Sequence, residues 1–200
     1  MTGAAIQDLT NLEAFEQGKY RTVWQAPGYL DHSPGEYWAK RAFRQLTHAR
    51  PSATVIDLGA GAGAGSWQLF LQGFTVTALE FVSEQFQYGL DIPFIEQPLW
   101  KPIPLRSNGR RYRWGFCCDV MEHISEELVD PVLENIAQAC EGVFFSISHE
   151  PDHFGKVVGH PLHLTVKPYE WWLERLRRHF VWTPDSRDLI REGLYYCRAA

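Results

Sequence analysis

The stretch VIDLGAGAGAGSW, residues 55–67, constrains this chain more than any other. Gly59, Gly61, Gly63 and Gly65 fall at alternate positions directly after the short apolar run that ends at Leu58. Such a run, closed by glycine, reads as a strand. Glycines in the following turn let a ligand approach the backbone closely. The helix expected to start at Gly65 offers free N–H groups and the positive end of its dipole. A strand, a glycine turn and a helix in that order open an α/β fold with a ligand site at the turn.

The rest of the chain continues the alternation. Five strands are expected: ATVIDL (53–58), FTVTALE (74–80), PFIE (93–96), YRWGFCCDV (112–120) and GVFFSIS (142–148). Their runs are apolar throughout, which indicates a sheet covered on both faces. A helix opens at Ser33-Pro34, where Ser33 caps and Pro34 suits the first turn, and it ends before Pro51. A second runs from Gly65 to Leu71 and is closed by Gly73. Ser125 and Asp130-Pro131 start helical turns, with Leu133, Ile136, Ala137 and Cys140 at helix spacing. Lys167–Phe180 forms another helix, and VWTPDS with GLYYCRA forms a closing antiparallel pair. Residues 1–34, with Tyr20, Trp24 and Tyr29 among polar neighbours, read as an extension or lid, and 35–200 as one domain. A chain of 200 residues with 45% hydrophobic and 22% charged content can bury one full core.

Several classes are disfavoured. No apolar run approaches the roughly 18–20 residues of a membrane span. MTGAAIQDLTNLEAFEQG has no basic start followed by an apolar block. Cys117, Cys118, Cys140 and Cys197 form no CxxC pair and no zinc spacing, so a cytoplasmic protein with reduced thiols is expected. A net charge of −5 argues against a nucleic-acid coat. The acid-free stretch KPIPLRSNGRRYR (101–113) reads as a solvated loop, with an anion or nucleic-acid contact as the alternative.

Two ligands suit the glycine turn: a dinucleotide and S-adenosylmethionine. G-x-G-x-x-G/A reads as Gly59, Gly61 and Ala64, and Glu80 at a strand end suits a ribose diol in either. Asp57 separates them by sign. A carboxylate at the strand end repels a pyrophosphate, whereas it favours the ammonium and sulfonium of S-adenosylmethionine. The block FCCDVMEHI (116–124) follows the fourth strand. With the first block it resembles the class I S-adenosylmethionine-dependent methyltransferases. Asp57, Gly59, Gly61 and Gly63 match their [DE]-x-G-x-G-x-G, Glu80 their ribose-binding acid, and Asp119, Val120, Met121, Glu122 and His123 their D-V-[LM]-E-H. His163, in HLTVKPYEWW, stands where such proteins carry a histidine after the fifth strand.

The resemblance covers roughly residues 50–200. It implies an α/β, Rossmann-like, seven-stranded, mostly parallel sheet with an antiparallel last strand and helices on both faces. It implies S-adenosyl-L-methionine as cofactor, held by Asp57, Gly59, Ala60, Gly61, Gly63, Glu80, Phe81, Glu96, Gln97, Asp119 and Val120. Where the family often places an acid for the adenine amino group, this chain has Pro98; Glu96, Gln97 or a backbone carbonyl takes the role. His163, His123 and Asp119 are the catalytic candidates for methyl transfer to a small-molecule acceptor. A nucleic-acid or modified-base acceptor, a non-catalytic cofactor-binding protein and a dinucleotide oxidoreductase are the alternatives. The stretch SHEPDHFGKVVGHPLHL crowds His149, Asp152, His153, His160 and His163, but at no common zinc spacing. A lid hinged at Gly155 and Gly159 is expected there, and no metal.

Overall fold

The structure, a computed structural model, describes residues 3–31, 33–181 and 192–199. Six strands form one sheet: β1 (Thr54–Leu58), β2 (Thr75–Glu80), β3 (Phe94–Glu96), β4 (Trp114–Cys118), β5 (Gly142–Ser146) and β6 (Leu194–Arg198). Their order is β3-β2-β1-β4-β5-β6. All neighbours pair in parallel except β6, which runs antiparallel to β5. The expected strand VWTPDS lies almost wholly outside the described residues, so six strands stand among those described where seven were expected.

The chain leaves β1 toward β2 on one side, while β4 lies on the other. The carboxyl ends of β1 and β4 therefore flank the crevice where open α/β sheets bind ligands. Alternating side chains explain why the strands are apolar throughout. Ile56, Leu58 and Cys117 enter one core, under α5 (Glu126–Ala139) and α7 (Tyr169–His179); its largest member is the fully buried Trp172. Val55, Phe116 and Cys118 enter the other, against Leu69 of α4 (Ala64–Leu71) and Phe43. Two apolar faces leave no polar alternation along a strand.

The helix begun by Ser33 has three parts. Ser33 Oγ accepts the Glu36 N–H at 3.1 Å, capping α2 (Pro34–Trp38). A π-helical stretch, Ala39–Phe43, leads to α3 (Arg44–Thr47). Phe43 is fully buried and meets Phe74, Phe116 and Phe144 edge-on.

Two expectations change. Asp130-Pro131 does not start a helix: α5 runs unbroken from Glu126, with Pro131 inside it. Residues expected only as an extension form the 21-residue helix α1 (Gly3–Val23). Short α6 (Gly155–Val158) lies in the loop after β5, and Asp152 accepts the Gly155, Leu162 and His163 N–H groups, tying that loop to itself. No described helix is long and apolar enough to cross a membrane.

Candidate active site

Two adjoining cavities open at the carboxyl ends of the parallel strands, and Trp24, Tyr29, Gly59, Gly61, Asp119 and His123 line both. The first spans about 830 Å³ of non-atom space, the open solvent at its mouth included. Its floor is the glycine turn after β1. Gly61 has φ +54°, a left-handed conformation, and a Cβ there would meet nothing within 4 Å. The space beside it is therefore open to a ligand. Gly63 differs: its φ is +91°, and a Cβ would strike the Phe86 and Tyr88 rings at 2.7 and 2.8 Å. Gly61 leaves open space beside the turn, whereas Gly63 seats two aromatic rings.

Glu80 closes the end of β2 and is nearly fully buried. Its carboxylate accepts the Gly61 N–H at 3.0 Å, the Phe81 N–H at 2.8 Å and the Val82 N–H at 3.3 Å. It thus joins the turn after β1 to the loop after β2. Burial raises its pKa, and those three hydrogen bonds oppose the shift. Asp57, on β1, lines the second cavity with Gly59 and Ala60. Ser66 Oγ donates to Asp57 Oδ2 at 2.6 Å. Burial pushes its carboxyl up to about 7 against that bond, and the Glu80 charge adds to the rise.

Phe81 after β2, and Gln97, Leu99 and Trp100 past β3, line the first cavity. Gln97 Nε2 donates to the Pro102 carbonyl at 3.2 Å. Glu96 is exposed and lines neither cavity. Two buried polar atoms on this wall, Trp100 Nε1 and Ser125 Oγ, have no hydrogen-bond partner. Buried polar atoms are nearly always satisfied, so two orphans on residues of one cavity wall stand out.

After β4, Asp119 takes φ +55°, unusual for a residue other than glycine. Its N–H donates to the Ser146 carbonyl at 2.9 Å. That strained bend, at a strand end, is of the kind found at functional sites. Burial raises its pKa, and nearby His163 opposes the rise. Val120 lines the first cavity and packs on Gly59, where a Cβ would lie 2.5 Å from its Cγ2. Glu122 is fully buried; burial and the Asp119 charge hold its pKa well above the usual range. His123 faces His163 edge-on with ring centroids 4.7 Å apart, and burial with that neighbour lowers its pKa to about 3. The structure thus brings Asp119, His123 and His163 to the second cavity.

A roof completes the site. Glu16, Tyr20, Trp24 and Tyr29 line the first cavity. Gln17 Nε2 donates to the Phe81 carbonyl at 2.9 Å, Arg21 pairs with Glu84 at 2.6 Å and Lys101 with Glu13 at 2.8 Å. The basic stretch 101–113 is partly engaged within the protein, since Arg113 also pairs with Glu141 and Arg111 donates to the Ala137 carbonyl at 3.4 Å. The sequence reading missed Trp100 and Ser125. Only their place after strand ends signalled them.

No protein-family model and no curated protein sequence matches the chain. Solved structures do. A Burkholderia thailandensis 1,6-didemethyltoxoflavin-N1-methyltransferase, with its substrate and S-adenosylhomocysteine bound, is similar at 18% identity and TM-score 0.59, over 100% of this chain and 92% of that one. A Haemonchus contortus phosphoethanolamine N-methyltransferase 2 complexed with S-adenosyl-L-methionine is similar at 14% identity and TM-score 0.59, over 84% of this chain and 41% of that one. Human N-acetylserotonin methyltransferase in complex with SAM is similar at 15% identity and TM-score 0.52, over 74% of this chain and 47% of that one. This chain thus spans less than half the length of the latter two. The sheet order, the antiparallel last strand and these likenesses together give the conclusion: the chain has the Rossmann-like fold of the class I S-adenosylmethionine-dependent methyltransferases.

Proposed function

We propose that this protein transfers a methyl group from S-adenosyl-L-methionine to a small-molecule acceptor by in-line displacement. The observation that carries the reading is the first cavity, which is lined together by Gly61 with its open side, by Glu80, and by Trp100 and Ser125, whose buried Nε1 and Oγ lack partners. This donor and acceptor set fits the cofactor. A carboxylate has about four lone-pair sites, and the three N–H bonds to Glu80 leave capacity for a ribose hydroxyl. Asp57 supplies negative charge for the ammonium of the methionine part. Gln97, Phe81 and Trp100 form the wall for the adenine, which favours Gln97 over the exposed Glu96 for its polar edge. Gly59, Ala60, Gly63 and Val120 shape the turn.

When bound, the cofactor supplies a methyl group on a sulfonium, whose departure needs little assistance. The chain's own task is then alignment and exclusion of water. Tyr20, Trp24 and Tyr29 cover the cavity as a lid. Asp119, His123 and His163 face the acceptor side, and a backbone carbonyl orients each imidazole through its Nδ1. A small acceptor is supported by the names of the similar proteins, which describe methylation of a toxoflavin precursor, phosphoethanolamine and N-acetylserotonin. Calorimetric titration with S-adenosylhomocysteine, with NAD in parallel, tests the reading. Micromolar binding of the first alone is expected; binding of NAD alone overturns it.

A further inference from the structure

Glu122 is fully buried, yet only part of its carboxylate is used. Oε1 accepts the Ser148 N–H at 2.7 Å, and Oε2 has no hydrogen-bond partner. A buried carboxylate oxygen without a partner is costly. Beside it, one donor atom each from Glu122, His123 and His163 lies within 4.8 Å of the others. Both rings are oriented by backbone carbonyls: His123 Nδ1 lies 3.0 Å from the Leu162 oxygen and His163 Nδ1 lies 2.6 Å from the Glu150 oxygen. A carbonyl only accepts, so each Nδ1 carries a proton and each Nε2 is the nitrogen left to bind an ion. Metal-binding histidines are held in this manner, with the second ring nitrogen donating to a carbonyl or carboxylate. The backbone also fixes the two segments together, since the Glu122 carbonyl accepts the Leu164 and Thr165 N–H groups at 2.8 and 2.9 Å.

We infer that Glu122, His123 and His163 form a site for a divalent first-row transition cation. Two imidazoles and one carboxylate suit zinc, manganese, iron or cobalt. Ligands about 2.0–2.2 Å from one ion stand up to about 4 Å apart, so small side-chain rotations close the site. Three protein ligands leave coordination positions free, and His123 and His163 line the second cavity beside Asp119. There the ion would take an acceptor's hydroxyl oxygen and lower its pKa, so that the hydroxyl gives its proton to solvent and attacks the methyl group as the alkoxide. That use rests on the methyltransferase reading; the binding of the ion does not. The spacing within 149–163 gave no metal pattern because His163 finds its partners 40 residues upstream, in the D-V-M-E-H block, and not among its neighbours.

The test is titration of chelator-treated, full-length protein with Co2+, without cofactor, read by visible d–d absorption and calorimetry. One ion per chain is expected, displaced by Zn2+. His163→Ala should lose the absorption and at least about tenfold in affinity with an unchanged circular-dichroism spectrum, while His153→Ala binds as the parent does. If His163→Ala misfolds, Glu122→Gln serves, with the same loss expected. Absence of Co2+ binding at millimolar concentration, or parental affinity in the folded variant, overturns the site. S-adenosylhomocysteine titrated into the same metal-free sample reports separately on the cofactor.

Discussion

Cofactor affinity should fall about tenfold between pH of about 8 and about 6, through one carboxyl group. Burial holds the Asp57 carboxyl at about 7, against 3.8 for an ordinary aspartate. Ser66 Oγ donates to it, while the Glu80 carboxyl and the Cys117 and Cys118 thiols are coupled to it electrostatically. Near pH 6 roughly nine in ten copies are protonated, and near pH 8 roughly one in ten. A cofactor that brings an ammonium to this carboxylate requires the ionised form. Its apparent Kd therefore rises about tenfold, or about 1.4 kcal/mol, over that interval. Calorimetry with S-adenosylhomocysteine in two buffers of different ionisation enthalpy measures both consequences: the weaker affinity, and release of about 0.9 proton near pH 6. Asp57→Asn should flatten the profile and weaken binding near pH 8. The same group acts on stability with a defined sign. Its folded pKa is raised, so the stability its proton contributes is full below about pH 4 and is lost as pH rises through about 7, amounting to at most about 4 kcal/mol. The ligand-free Asp57→Asn variant should therefore melt higher than the parent near pH 8. An affinity constant across this range, or an unchanged slope in Asp57→Asn, refutes the reasoning.

Other consequences are as specific. Gly61→Ala places its Cβ in open space, so it should cost about 1 kcal/mol of stability for the left-handed backbone and remove most S-adenosylhomocysteine binding; melting and calorimetry separate the two. Gly63→Ala adds a clash with Phe86 and Tyr88 to the same backbone cost, and should lower the melting temperature more than Gly61→Ala does. Glu80→Ala strands three N–H groups as well as the proposed ribose contact, so it should lose about 1–3 kcal/mol in denaturant unfolding and weaken the cofactor too. Trp172→Ala, in the core under α7, should cost about 3–5 kcal/mol and leave cofactor affinity per folded molecule unchanged.

The parts of the fold that could be read from sequence are those whose burial is apolar. β1, β2, β4 and β5 are mostly apolar runs, and the glycine spacing marked the turn between β1 and α4. Helix α1 was illegible because its buried face is not apolar. Glu16 and Lys19 are nearly fully buried as an ion pair at 2.5 Å, so the inward side reads as surface in a hydrophobicity pattern. Pro131 misled for a local reason: proline usually marks a helix start, whereas here packing of Val129, Val132, Leu133 and Ile136 carries α5 through it. Within the site, Asp57, Gly61 and Glu80 were legible from spacing along one βαβ unit. The meeting of Glu122 and His123 with His163 was not, because it depends on how the loop after β5 folds back over the end of β4. Trp100 and Ser125 were hidden for a different reason, since an unsatisfied polar atom exists only in three dimensions.

The roof over the cavity has a kinetic consequence. Its fastenings, Gln17 to Phe81, Arg21 to Glu84 and Lys101 to Glu13, span 64, 63 and 88 residues of chain. Two of the three are solvent-accessible ion pairs, worth about 0–1 kcal/mol each. Lifting α1 breaks the small apolar cluster of Val23 and Trp24 with Val82 and Leu162 but disturbs neither sheet pairing nor either principal core, so its free energy should lie below that of global unfolding. Amide hydrogens of α1 should exchange by local opening, while those of β1 and β4 wait for the whole molecule to unfold. The residence time of anything held beneath is then set by a helix that detaches while the sheet stays intact.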